Sequence, residues 1–458
     1  MRSTAVPRAL ATALLSCMAC AAAQAEDVPS LSFDQAYQRL LDVSDGLDAA
    51  RARQAGKAQL EAASRRLRLP EISGEVQRID LQKTVELPLG SLAPVAEAYG
   101  IDSPLRFVDE QWHTRPSLKA TLPLYTGGAI PARQATARAA RRQADAELEQ
   151  EQQALLPELA RVYFGQRLAE LTVVVRKQAW SGLQGHLEDT RALEREGFAT
   201  AAQRLQAEVA QDQAQREYRR AVNDLESVRA TLSLTLRAGT LVGTRTELFI
   251  VRRPLADLGE FREAALQRHP QLARLRAVLD QAEQGARLQR ATLKPQMYAF
   301  GQYGFRRSDA LLTEPDWVFG IALKYTFFSG TDRPRQLAAA NAQVNEAEAG
   351  LNEARNRIEI AVVRAYGDLD TARQQYLLLE SSLARARENV RLQTLSFREG
   401  QATSQDVVDA RVALSAALIE RAKSAYDYDV ALAQLLQASG QPEMYAALLA
   451  ASEKVEAP

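Results

Sequence analysis

Residues 195–200 read Arg-Glu-Gly-Phe-Ala-Thr and residues 398–403 read Arg-Glu-Gly-Gln-Ala-Thr, so one turn is written twice, 398−195 = 203 positions apart. Working outward, the same offset joins Tyr163 to Tyr366, Pro131 to Pro334, Gly127 to Gly330, Leu148 to Leu351 and Leu232 to Leu435. Loops accept insertions, whereas a long packed helix loses its buried face when one residue is added. A register held this far therefore means a duplicated unit made mostly of helix.

The stretches before the two turns carry apolar residues at seven-residue spacing. In the second half Val344, Leu351, Ile358, Ala365, Ala372, Leu379 and Ala386 form one series, and Val362, Leu369, Tyr376, Leu383, Val390 and Phe397 a second. The first half has Leu148, Leu155, Val162, Ala169 and Leu183 beside Leu159, Val173, Trp180 and Leu187. Two interleaved series predict helices that pack in coiled-coil fashion, each of about 60 residues and roughly 90 Å. Pro157 predicts a kink in the first that Ile360 does not impose on the second. At the turns Gly197 and Gly400 supply left-handed caps, and Thr200 and Thr403 cap returning helices. These pack through Tyr218, Ala221, Leu225, Val228 and Leu232, and through Leu414, Ala417, Tyr428, Ala431 and Leu435. They are expected to end near Gly239 and Gly440.

Ahead of each long helix the period changes to two. Trp317, Phe319, Ile321, Leu323, Tyr325 and Phe327 alternate with smaller or more polar residues, the pattern of a lipid-facing membrane strand with aromatics at both ends. Its expected partner runs over about 296–306. The first half repeats the pair more weakly, over about 70–82 (Ile72, Gly74 and Val76 on one face) and 116–126 (Leu118, Ala120, Leu122 and Leu124), joined by a link over 83–115. Half of a soluble sandwich would read the same for that pair alone. Gly127 and Gly128, and Gly330, sit where strand hands over to helix and permit a tight change of direction.

Arg2 and Arg8 precede an apolar run from Ala9 to Ala23 and the small-x-small pattern Ala23-Gln24-Ala25, which predicts an export signal over 1–25; a lipidated Cys17 is also open. Both cysteines, Cys17 and Cys20, fall in this leader, leaving no disulfide chemistry beyond it. Formal charge is zero, which gives no basis for nucleic-acid binding. No later segment has the roughly 18 apolar residues of a spanning helix, so strands must make any crossing.

The reading divides the chain into a leader (1–25), a first repeat (26–238) with its tip turn at 195–200, an inter-repeat equatorial segment (239–257), a second repeat (258–440) with its tip turn at 398–403, and a tail (441–458). Single short helices over Phe33 to Leu67 and Phe261 to Leu293 precede the strand pairs, and Glu247 to Val251 offers a short equatorial strand. The fold class is mainly α with a membrane β-barrel. Four strands cannot close in lipid without unpaired edges, and three copies would give a twelve-stranded barrel continued by an α-helical tunnel.

The chain resembles the TolC family of outer-membrane efflux proteins. The resemblance rests on Leu47 to Ala62 and Leu272 to Ala286 before their closing prolines, on Pro123-Leu124-Tyr125-Thr126-Gly127-Gly128, and on Gly400 followed by Asp406, Val407, Val408, Asp409 and Ala410. It implies a homotrimer whose barrel sits among outer-membrane lipid and whose tunnel extends into the periplasm. It also implies docking on a periplasmic adaptor (membrane fusion) protein and an inner-membrane pump of RND, ABC or MFS type, in a tripartite efflux or type I secretion system. The positions matching the family's acidic constriction are Asp406 and Asp409, one helical turn apart; two solvated carboxylates in a first helical turn would read the same. Gln203 and Gln206 hold the first-half positions, and Ala402 stands where relatives with a charged lock carry a basic residue. The turns Arg195, Glu196, Gly197, Thr200 and Arg398, Glu399, Gly400, Thr403 are the candidates for adaptor contact, although an ordinary capped hairpin explains them too.

No enzyme is expected, nor a metal or cofactor, since His113, His186 and His269 are scattered and Gly127-Gly128 lacks the rest of a phosphate loop. The alternative is a structural coiled-coil envelope protein without conducting function. A duct lined by small polar residues suits drugs, metal ions or an unfolded secreted protein. The scarcity of sulfur, Met297 and Met444 alone after the leader, weighs against a dedicated soft-metal path.

Overall fold

The computed structural model describes residues 29–305 and 315–455. The expected leader, its cleavage point, Cys17 and most of the link over 307–316 lie outside the described residues. In chain order, strand β1 (Ser30–Leu31) leads into helices α1 (Phe33–Val43) and α2 (Asp45–Arg65), strand β2 (Glu71–Leu87), a short helix α3 (Ala93–Glu97) and strand β3 (Leu105–Tyr125). The hairpin α4 (Ala129–Arg195) and α5 (Ala201–Thr235) follows, then strands β4 (Gly243–Thr244) and β5 (Phe249–Ile250). The second set is α6 (Leu258–Arg268), α7 (Pro270–Ala291), β6 (Gln296–Gly304), β7 (Trp317–Lys324), α8 (Arg333–Arg398) and α9 (Ser404–Ala438), closed by α10 (Met444–Ala450) and β8 (Glu453–Lys454).

With 67 and 66 residues, α4 and α8 are each roughly 100 Å long. Helix α8 packs on α6, α7 and α9, and its buried Leu351, Ile358, Val362, Leu369, Tyr376 and Leu383 follow the seven-residue series. Helix α4 keeps its series only in part, with Leu159, Leu183 and Leu187 buried. It packs against α2, α5, α7 and α9, so burial spreads round it: Leu148, Leu155 and Val162 are only half-buried, while Leu156, Tyr163 and Phe164 enter the core. Pro157 lies buried inside α4, and the helix continues across it.

Each expected short helix is two. The chain breaks at Ser44, extended at φ −75° and ψ 112°, whose hydroxyl accepts from Leu47 N to cap α2. It breaks again at His269, driven from the helical region by Pro270, and the ring Nδ1 accepts from Gln271 N at 3.1 Å.

At mid-height β1 pairs with β4 and β5 with β8, over a core of Phe33, Phe164, Phe249 and Tyr445. The buried Tyr163 hydroxyl donates to Leu31 O at 2.6 Å and accepts from Arg245 N at 3.1 Å and Thr246 N at 2.9 Å. One side chain thus ties the chain's first strand to the inter-repeat segment.

The main sheet is antiparallel in the order β2-β3-β6-β7. The expected 83–115 link is largely strand, because β2 and β3 pair from Glu71↔Thr121 as far as Leu87↔Leu105. Strand β7 is shorter than expected. Its last pair is Lys324↔Gln296, where β6 begins after Pro295, so Tyr325 and Phe327 have no strand to pair with and lie just beyond β7.

Candidate functional site

Strand register decides which side chains share a face. The pairs Ile72↔Ala120, Ala120↔Gly301 and Gly301↔Phe319 put those four residues on one side, with Gly74, Val76, Leu118, Leu122, Ala299, Ile321 and Leu323. This side is apolar across all four strands, and Phe319, Ile321 and Leu323 are each about 70% exposed in the single chain. The opposite side carries Ser73, Glu75, Gln77, Lys119, Thr121 and Gln302, with Glu75 and Lys119 ion-paired across the strands, and on β6 and β7 also Tyr298, Phe300, Val318 and Ala322. Farther along β2 and β3 the apolar residues change sides. Ile79, Leu81, Val85 and Leu87 share a face with His113, Phe107 and Leu105, and the outward position is taken by Trp112 with the Arg78 guanidinium over its ring at 5.5 Å. Trp112 therefore sits where that face stops being apolar.

The sheet joins the helices through Gly127 and Gly128, with φ of +65° and +100°. A Cβ at Gly127 would lie 2.8 Å from Ala291 O and 2.9 Å from Lys294 Cβ, so the turn is pressed against the end of α7. Gly330 departs from expectation: its φ is outside the left-handed region, and nothing would touch its Cβ within 4 Å. There Ser329 bonds Thr331, and Asp332 caps α8 by accepting from Arg335 N at 3.1 Å.

At the far end both turns are built alike. Gly197 and Gly400 have φ of +82° and +72°; Phe198 N donates to Leu193 O and Gln401 N to Ser396 O, both at 2.8 Å. Thr200 and Thr403 then form capping boxes with Gln203 and Asp406. Asp406 Oδ2 accepts from Thr403 N at 2.8 Å and from Thr403 Oγ1 at 2.7 Å, and these bonds, the hydroxyl's first, hold its carboxyl below the usual range. Asp409 Oδ1 accepts from Gln405 Nε2 at 2.7 Å. Both residues are exposed.

The two arginines of the turns differ. Among the described residues Arg195 donates only within its own helix, to Arg191 O at 3.4 Å, whereas Arg398 reaches Asp189 Oδ2 of α4 with Nε at 3.1 Å and Nη2 at 2.9 Å. Glu196 and Glu399 are exposed at the helix ends, and Phe198 is 77% exposed at the outermost point of the first turn.

A buried cluster above the turns escaped sequence reading. His186 on α4 is 2% exposed, its Nε2 lies 2.8 Å from Ser404 Oγ at the start of α9, and its ring meets Phe397 of α8 edge-on at 4.8 Å. Burial, reinforced by Arg411, lowers its pKa to about 4. The available signal was its place between Leu183 and Leu187 on a buried stripe. Among the described residues no three His, Cys, Asp or Glu side chains are placed to hold a metal ion, and no helix is long and apolar enough to cross a membrane.

Residues 262–441 match the family described as outer membrane efflux protein. Alkaline protease secretion protein AprF of Pseudomonas aeruginosa is 28% identical over 241 residues, which cover 51% of this chain and 47% of that protein, so the chain spans about half the length of this curated relative. Solved structures share the fold. CusC, studied for folding and transmembrane channel formation, superposes with a TM-score of 0.75 at 15% identity, covering 90% of this chain and 93% of that one. The outer membrane protein VceC of Vibrio cholerae gives 0.72 at 16% identity, covering 89% and 96%, and the outer-membrane channel OprN 0.71 at 17%, covering 89% and 90%. The second half thus carries an outer membrane efflux domain, and the described chain has the fold of these channels.

Proposed function

We propose that this chain, with its outer membrane efflux domain on a TolC-type channel fold, is one of three identical subunits of a passive duct from the periplasm across the outer membrane. The observation that carries the reading is the four-stranded sheet: next to the helices one face is apolar across all four strands, the other carries the polar side chains of β2 and β3, and among the described residues the outer edges of β2 and β7 have no partner strand. Unpaired backbone groups in hydrocarbon cost several kcal/mol each, so β7 of one copy joins β2 of the next. Three copies of four strands close a twelve-stranded barrel, and the same symmetry arranges the α4-α5 and α8-α9 hairpins into one tunnel.

At the tunnel tip Asp406 and Asp409 of three copies form two carboxylate rings, which favour cations and repel one another when the tip is closed. The exposed Arg-Glu-Gly turns receive a periplasmic adaptor, through which an inner-membrane pump supplies cargo and energy. Secretion and efflux are what the relatives' names describe, and a duct serves either. Purified protein in planar bilayers tests the reading. Discrete conductance steps are expected; a trimer that never conducts, even with Asp406→Ala and Asp409→Ala, would leave a structural coiled-coil protein.

A further inference from the structure

Both repeats enter their first strand through a short basic, apolar and proline-closed segment, Arg66-Leu67-Arg68-Leu69-Pro70 and Arg290-Ala291-Thr292-Leu293-Lys294-Pro295. Arg66, Arg68, Arg290 and Lys294 are exposed, and among the described residues their side chains have no hydrogen-bond or ion-pair partner. Neighbouring cations differ: Arg65 pairs with Glu61, Arg335 with Asp332, and Arg333 donates to Thr292 O. Glu71 is the one carboxylate within residues 66–71 and 290–295. A helix C-terminus favours a cation in its last turn, which covers Arg66 and Arg290. Arg68 and Lys294 lie beyond their helices, so that effect does not reach them.

Apolar side chains stand exposed at the same level. Leu69 is 59% exposed, and Phe327 and Phe328 are 88% and 90% exposed. Directly above, on the apolar side of the sheet, small residues leave a groove of about 620 Å³ lined by Ala120, Leu122, Ala299, Gly301, Phe319 and Ile321, with Pro70 in its wall. Ala299 is five residues past Lys294, roughly 16 Å along an extended chain, which is within reach of one acyl chain.

We propose that this junction is a docking surface for anionic phospholipids of the leaflet that faces the helices. The headgroup phosphate rests on Arg66, Arg68, Arg290 and Lys294, and an acyl chain lies in the groove above them. Unpaired cations beneath an apolar wall complement a phosphodiester attached to hydrocarbon, and each cation near such a surface adds attraction that salt weakens. The inference rests on the membrane placement of the sheet proposed above.

The test is to reconstitute the full-length trimer in nanodiscs made from an equimolar mixture of phosphatidylethanolamine and phosphatidylglycerol, extract it gently, and measure the lipid that stays bound. The ratio of phosphatidylglycerol to phosphatidylethanolamine in the retained lipid should be about tenfold or more that of the bulk mixture, and raised salt should erase the enrichment. The variant R66Q/R68Q/R290Q/K294Q should retain the bulk ratio while still conducting. Gly301→Val, which fills the groove where a Cβ meets no atom closer than 3.8 Å, should lower total retention. A wild-type trimer that conducts yet holds the bulk ratio overturns the lipid assignment, as does salt-resistant enrichment or enrichment that survives in the quadruple variant. Failure of the wild type to insert or conduct counts instead against the membrane placement itself.

Discussion

His186 of α4 and Ser404 of α9 share a 2.8 Å hydrogen bond in a place closed to solvent, so the long helix of one repeat is fastened to the returning helix of the other just above the tip. Phe397 of α8 closes the ring from one side. Arg411 adds repulsion to the burial that keeps the imidazole neutral, while Asp189 works weakly the other way.

That cluster sets a pH dependence. The folded pKa of about 4 lies below the ordinary 6.5, so between those values the opened state binds a proton that the packed state refuses. Tip stability is therefore present above pH 6.5 and is lost as pH falls through 4. Hydrogen exchange should show protection at 183–205 and 397–411 declining in acid, with His186→Gln flattening the decline. Equal acid sensitivity in wild type and variant would show that another group is responsible.

The equator should behave oppositely. Asp429 is fully buried, its Oδ2 accepts from Phe249 N at 3.3 Å, Oδ1 has no partner among the described residues, and burial holds the carboxyl well above its usual range. A raised folded pKa gives stability that is whole below the ordinary carboxylate range and fades as pH rises. Asp429→Asn should exceed wild type in thermal melting at about pH 8, by a margin that shrinks steadily toward about pH 4.

The two strand-to-helix turns should respond differently to the same change. Gly127→Ala meets Ala291 O and Lys294 Cβ under 3.0 Å at a left-handed φ and should cost roughly 1–3 kcal/mol, read as lower trimer melting temperature. Gly330→Ala meets nothing and should be near neutral.

Charge at the tip divides by role. Asp409→Asn should reduce cation selectivity, measured as reversal potential in a salt gradient, with little effect on folding. Asp406→Ala should reduce selectivity and also cost about 1 kcal/mol through the lost capping box. Arg398→Ala breaks a half-exposed tie to Asp189 worth less than about 1 kcal/mol, and should raise open probability without moving the melting temperature.

The hairpins, their tips and the apolar series of α8 were legible because a helix that packs on one side writes its period into the chain. Helix α4 was less so, since neighbours on several sides blur a single stripe and Tyr163 works through a hydroxyl rather than through spacing. The outer reach of β2 and β3 carries its own alternation, Ile79, Leu81, Val85 and Leu87. It was hidden because the apolar residues change faces near Arg78. The breaks at Ser44 and His269 are single-residue capping decisions inside otherwise helical runs. Arg398 and Asp189 are 209 residues apart, and no local pattern announces such a pair.

Closure of the sheet between copies is measured most directly by a cryo-electron-microscopy map of the full-length protein in lipid nanodiscs. The expected map has threefold symmetry and a twelve-stranded wall in which β7 of each subunit pairs with β2 of the next. A monomer whose four strands fold against its own helices, or a ring of any other number of copies, would contradict it.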